Sequence, residues 1–213
     1  MPVKTVIPVI SFVYLLLIAA CNGSETCSKK VNCPGFDNKE LTIWLPYKDN
    51  EQLVFASNRA TYDTFHLKNS ETSAPYETST GSFGGSDQCS AYKTFQSIET
   101  DKETQNRLYI QLHTETPFFT TTASKNANIN LDGNTIDLTD LKIDGFSEIR
   151  INNKSTRLQL LDNVTINNKT YPNVQVAMRD TISDKSPGIY EVYISKRNGI
   201  VAYRDSTLTW AKQ

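Results

Sequence analysis

The chain is expected to fold as one mainly β domain, either an antiparallel β-sandwich or a curved half-open β-sheet. Three observations lead there. Short segments alternate apolar and polar residues with period two, as in Leu108-Tyr109-Ile110-Gln111-Leu112. Pairs of turn formers punctuate them, among them Asp132-Gly133, Asn167-Asn168 and Asn198-Gly199. Thr, Asn and Ser are abundant and aromatics reach 10%, which suits an exported β protein better than a disordered tail.

Residues 1–20, MPVKTVIPVISFVYLLLIAA, stand apart from this pattern. Lys4 precedes an almost unbroken apolar run from Val6 to Ala20. About 15 residues rising 1.5 Å each fall short of a hydrocarbon core that takes roughly 20. A charged start, a short apolar middle and a small-residue end form the layout of a cleaved secretory signal, the alternative being an uncleaved anchor. Ile18-Ala19-Ala20-Cys21 resembles the lipobox of bacterial lipoproteins, in which an aliphatic and two small residues precede an acylated Cys. The resemblance implies that Cys21 is the lipid-bearing first residue of the mature protein, anchored to a membrane through acyl chains. An ordinary signal-peptidase cut before Cys21 would place bulky Ile18 at −3; a cut after Cys21, flanked by Ala19, is the competitor. Asn22 stands where Asp favours retention at the inner membrane, so the resemblance points to the outer membrane.

Residues 21–32 are polar and carry no apolar period, as expected of a flexible tether, and residues 33–213 make up the β-rich domain. Leu41 to Leu45 is expected to be a first strand ending at Pro46, and Gln52 to Ala56 its return. Tyr62 to Leu67 follows, then a long Ser/Thr/Gly-rich loop over 69–88. Ser90 to Glu99 and Leu108 to Thr114 are longer strands, and Asp132-Gly133 joins Ile129–Leu131 to Thr135–Leu138. Residues 139–148 leave room for one helical turn. Arg157–Leu161, Val164–Ile166, Lys169–Tyr171 and Val174–Met178 continue the series. Ile189–Ile194 and Ile200–Tyr203 form a hairpin through Lys196–Gly199, with Val192 and Ile194 on its buried face and Glu191 on the open one. Residues 165–201 resemble a pattern common in uncharacterised exported lipoproteins of diderm bacteria, which implies an antiparallel sheet near the C-terminus.

Four cysteines are present, and a lipidated Cys21 leaves Cys27, Cys33 and Cys89 in an oxidising compartment. Cys33–Cys89 is the favoured disulfide and Cys27–Cys33 the next. Losing residues 1–20 removes Lys4 alone among the charges, so 22 basic residues become 21 against 23 acidic, a net of −2. Without basic clusters beyond Lys29-Lys30 and Lys196-Arg197, nucleic acid is not an expected partner.

Catalytic signals are weak. His66 and His113 each have a carboxylate within three residues, but on alternating strands both decorate outer faces. Asp132, Asp137, Asp140 and Asp144 form the densest carboxylate region, without the spacing of a calcium loop. No CxxC or HxxxH pair suggests zinc, and no cofactor fingerprint occurs. Trp44, Tyr47, Phe55, Tyr62 and Phe65 concentrate near the start of the domain and read as core. The expectation is a non-enzymatic, membrane-anchored envelope lipoprotein with no metal or cofactor. It would act through binding or structure, toward a protein or an apolar small molecule. The alternative is a carrier that holds a lipid or other apolar ligand in a curved β-sheet cavity.

Overall fold

A computed structural model describes residues 33, 35–77, 87–97, 107–116, 124–179 and 188–213, all within one compact unit, Cys33–Gln213. The signal and tether, residues 1–20 and 21–32, lie outside the described residues, as do Gly81, Gly84 and Gly85.

The described chain is an antiparallel meander, as its alternation and turn chemistry require. Its strands are β1 (Gln52–Ser57), β2 (Tyr62–Glu77), β3 (Asp87–Ser97), β4 (Leu108–Thr116), β5 (Ser124–Leu131) and β6 (Asn134–Lys142). They continue as β7 (Gly145–Ile151), β8 (Lys154–Ile166), β9 (Lys169–Arg179), β10 (Glu191–Ser195), β11 (Gly199–Arg204) and β12 (Thr209–Lys212). Each strand pairs with its sequence neighbours, and β1 also pairs with β12 through Phe55–Lys212, Ala56–Ala211 and Ser57–Trp210. The curved sheet therefore goes one step past half-open: it closes into a barrel.

Closure is thinnest between β7 and β8, where only Arg150–Ser155 and Ile151–Lys154 are in register. Beyond that point the buried carboxamide of Gln175 on β9 replaces the missing strand partner. It accepts from the Phe146 backbone N–H at 2.9 Å and donates to the Phe146 carbonyl at 2.7 Å. β8 then pairs with β9 alone, and most of its side chains are exposed.

Alternation fills the interior. Leu108, Ile110 and Leu112 of β4, Ala127, Ile129 and Leu131 of β5, and Val192 and Ile194 of β10 share one buried cluster. Asn126, Asn128 and Asn130 alternate with the β5 set on the opposite face. Apolar residues inside and polar ones outside reverse the arrangement of a membrane-spanning barrel, whose apolar band faces outward. A second cluster of Tyr171, Val174, Val176 and Val201 lies on the other face of β9 from core residue Ala177.

Several expectations need correction. Residues Leu41 to Leu45 are not a strand: Lys39–Trp44 is a helix, α1. The Asn38 side chain accepts from the Leu41 backbone N–H at 3.0 Å, an N-cap. Leu41, Trp44 and Leu45 then sit at i, i+3 and i+4 and enter the core as one stripe. The loop expected over 69–88 is largely strand, because β2 runs to Glu77 and pairs with β3 from Leu67–Ser97 to Glu77–Asp87. Residues 139–148 contain no helical turn; β6 and β7 meet at Ile143-Asp144. Arg157–Leu161 and Val164–Ile166 are one strand, β8. In the last hairpin Arg197 and Gly199 take the positive φ values, 73° and 71°, rather than Asn198. Glu191 is not open to solvent: it is 6% exposed, meets Arg204 at 3.1 Å, and accepts from the Tyr193 hydroxyl at 2.8 Å.

In a meander, successive turns alternate between the two rims. One rim carries α1, the turns at 143–144, 167–168 and 196–198, and the Cys33–Cys89 disulfide at the head of β3, with Cα atoms 5.5 Å apart. The opposite rim carries the turns at 58–61, 132–133, 152–153 and 205–208.

Candidate functional site

The opposite rim gathers side chains from segments far apart in sequence. Asp63 opens β2, Arg107 precedes β4, and Asp132 occupies the two-residue turn between β5 and β6. That turn requires positive φ at both positions, 48° at Asp132 and 76° at Gly133, and Asp-Gly tolerates it. Arg107 bridges the two carboxylates, donating from Nη2 to Asp63 at 2.6 Å and from Nε to Asp132 at 2.7 Å. Asp63 is buried, so the guanidinium compensates a charge withdrawn from water. The two carboxylates hold the Arg107 pKa above its ordinary value. Burial pushes the Asp132 carboxyl up, against the lowering effect of Arg107.

Beside this group lies a cavity of about 200 Å³ lined by residues that include Asp132, Asn134, Ile189, Tyr203, Asp205 and Trp210. The Tyr203 and Trp210 rings stack at 5.9 Å and 15°. Asp205 organises the β11–β12 loop: its Oδ1 accepts from the Thr207 and Leu208 backbone N–H groups at 2.7 Å each, and its Oδ2 from the Trp210 indole at 3.3 Å. Burial acts to raise the Asp205 pKa, but these donors outweigh it and the carboxyl sits below its ordinary value. Asn134 fixes the far wall. Its Oδ1 accepts from the Asn152 carboxamide at 2.9 Å and the Ile189 backbone N–H at 3.0 Å. Gly188, at φ +124°, passes so close to that oxygen that a Cβ would lie 2.2 Å from it. Tyr203 is 3% exposed, and its hydroxyl forms no hydrogen bond with a described residue. Burial is the main cause of its raised pKa, and Asp63 and Asp132 add to it.

The residues singled out from sequence fall in different places. Cys33 and Cys89 are bonded to each other, while Cys21 and Cys27 lie outside the described residues. His66 is exposed on β2. His113 stacks on Tyr92 at 4.3 Å, with Ser90 Oγ 3.4 Å and Glu115 Oε1 3.5 Å from its Nε2. A relay needs the base to meet its nucleophile and its orienting carboxylate through different ring nitrogens. Here both approach Nε2, at long distances, on a strand surface. Asp132, Asp137, Asp140 and Asp144 do not converge: Asp132 is at the opposite rim, Asp144 at the α1 rim, and Asp137 is held by Asn128. Among the described residues no three His, Cys, Asp or Glu side chains are placed to hold a metal ion.

Of the early aromatics, Trp44, Tyr47, Phe55 and Phe65 are core, whereas Tyr62 is 69% exposed. The inward residues of 108–114 and 189–203, which would have lined a carrier's cavity, are packed against each other and α1. Sequence reasoning named Asp132 as a turn residue and as part of an acidic region, and it missed the site roles of Arg107, Asp205, Tyr203 and Trp210. The only local signal was Asp205-Ser206-Thr207, whose spacing suits an Asx turn.

The chain matches no protein-family model, no curated protein and no solved structure.

Proposed function

We propose that the chain is a non-enzymatic envelope lipoprotein, anchored through lipid on Cys21 to the outer membrane and acting through binding or structure. The observation that carries the reading is the Cys33–Cys89 disulfide, which suits an oxidising compartment beyond the cytoplasm. Export is also what the apolar run ending in Ile18-Ala19-Ala20-Cys21 is for. The bonded Cys33 lies at the α1 rim, directly after the tether. A tether of 12 residues, 21–32, reaches about 40 Å at full extension. Between binding and carriage of an apolar ligand, the filled interior supports binding, because α1 and the inward strand residues occupy the space that a carrier would leave for cargo.

The test is metabolic labelling in a diderm bacterium with an alkyne-bearing palmitate analogue. Label should follow the full-length protein into the outer-membrane fraction and vanish in Cys21→Ser. A mature chain that begins at Asn22 without modification, found by mass spectrometry, overturns the anchored reading.

A further inference from the structure

We infer that the rim cavity beside Tyr203 and Trp210 binds a single neutral pyranose ring. This inference rests on the proposal that the domain acts through binding; it is independent of the lipid anchor.

Size comes first. An apolar cavity of about 150 Å³ admits benzene, so about 200 Å³ takes one six-membered ring with its substituents and excludes a lipid chain or an extended oligosaccharide. The lining sets the chemistry. Asp132 and Asp205 are acceptors only, and each keeps unused lone pairs after its protein donors are counted: two from Arg107 to Asp132, and a single indole N–H to Asp205 Oδ2. Ser206 and Thr207 add hydroxyls. A ligand that fits must therefore donate several hydrogen bonds. An anion is disfavoured by the carboxylates. A cation is disfavoured because both carboxylates already have compensating partners, Arg107 for Asp132 and two backbone N–H groups for Asp205. A neutral polyol meets both conditions.

Two further features favour a ring over an open-chain polyol. Trp210 lines the cavity and stacks on Tyr203, and an aromatic face attracts the weakly positive C–H face of a sugar ring. Tyr203 supplies the second feature: a side chain almost wholly buried, lining the cavity, whose hydroxyl has no partner among the described residues. That hydroxyl keeps donor and acceptor capacity that a ligand hydroxyl can use. Burial, with Asp63 and Asp132 beside it, keeps this hydroxyl protonated at physiological pH, so it is available both to donate and to accept.

The experiment uses the full-length protein in detergent micelles and reads tryptophan emission. Trp44 is buried at the α1 rim, so a change on titration reports Trp210. The probes are the methyl glycosides of glucose, galactose, mannose and N-acetylglucosamine, with glycerol as the open-chain control and methylammonium as the cationic one. At least one glycoside should saturate in the millimolar range, with glycerol and methylammonium silent. Tyr203→Phe keeps the ring and its stacking, and should weaken that glycoside about five- to tenfold, the worth of one hydrogen bond. Trp210→Phe, a second variant with the aromatic face reduced and titrated by calorimetry because it lacks the reporting indole, should also weaken it. Silence toward all four glycosides overturns the inference, as does a response to methylammonium instead. Saturation unchanged in both variants places the sugar elsewhere and overturns it too. None of these outcomes touches lipid labelling of Cys21, so the two proposals fail separately.

Discussion

At the α1 rim the barrel ends in Leu41, Trp44, Leu45 and Tyr47, all buried and all part of the interior cluster. At the other rim the same interior ends in Phe65 and Tyr203, and above them sit Asp63, Arg107 and Asp132. Both rims must terminate a stack of apolar layers without leaving backbone or ring edges wet. The first does it by folding a helix into the opening. Asn38 starts that helix, Pro46 bars its continuation, and the Tyr47 hydroxyl accepts from the Ile200 backbone N–H at 2.9 Å. The second does it with short turns and an ion-paired arginine whose guanidinium lies 5.4 Å from the Phe65 ring centroid. Sealing by a helix leaves no room for a ligand. Sealing by charges and turns leaves the cavity. The division of labour between the rims follows from which chain segments were available to cover them.

The largest effect should come from breaking the helical seal. Trp44→Ala removes an almost fully buried ring that meets Phe146 edge-on at 6.0 Å. It should cost about 3–5 kcal/mol. Tyr62→Ala, at the opposite rim and largely exposed, should stay within about 0.5 kcal/mol. Urea melts followed by far-UV circular dichroism measure both. Comparable losses would mean that α1 is not the structural plug of the barrel.

The contrast between the rims also explains what could be read from the sequence. The hairpins at Asp132-Gly133 and Asn167-Asn168 were legible because their turns have local chemistry: all four residues take positive φ. The β10–β11 hairpin was legible as an alternation, down to Val192 and Ile194 facing inward. The α1 seal was not. Leu41-Ile43-Leu45 satisfies a period of two and Leu41-Trp44-Leu45 satisfies 3.6, and only the Asn38 cap separates them. The outer half of β2 was hidden for a different reason: Ser70 to Ala74 extends past the core with both faces exposed, so no apolar alternation marks it. Glu191 reads as a solvent-facing charge until Arg204, across the hairpin, brings it a partner. The rim site is the extreme case. Its residues come from β2, the start of β4, the β5–β6 turn, β11 and β12, and no window of sequence contains more than a fragment of it.

A smaller effect tests the ionic seal. Arg107→Met leaves the Asp63 carboxylate buried without its 2.6 Å partner. Because the Arg107 side chain is 39% exposed, the cost should be about 1–3 kcal/mol rather than the larger loss of a fully buried pair. Adding Asp63→Asn removes the stranded charge and should recover part of that loss, giving a non-additive double mutant. Strict additivity would mean that the two side chains are not coupled and that the rim is held by its turns alone.

The finest distinction lies within the opposite rim, between two carboxylates on one cavity whose pKa values move apart. The fold lowers that of Asp205, so its contribution is present above the ordinary carboxylate value of about 3.9 and is lost as pH falls through the folded value. The fold raises that of Asp132, so its contribution is present below about 3.9 and is lost as pH rises through the folded value. Asn mimics a carboxyl that never ionises and serves as the reference for each. The advantage of the native residue over Asp205→Asn should therefore be larger at neutral pH than in acid. For Asp132→Asn it should be larger in acid than at neutral pH. Asp205 is half-buried and keeps contact with water at the rim, which limits its share to about 0.5 kcal/mol, close to the scale of a screened surface charge. Urea melts of both variants on either side of the carboxylate range would read the two trends. Trends of the same sign would mean that the Asp205 donors do not outweigh its burial, and the rim would then carry two carboxylates of one kind.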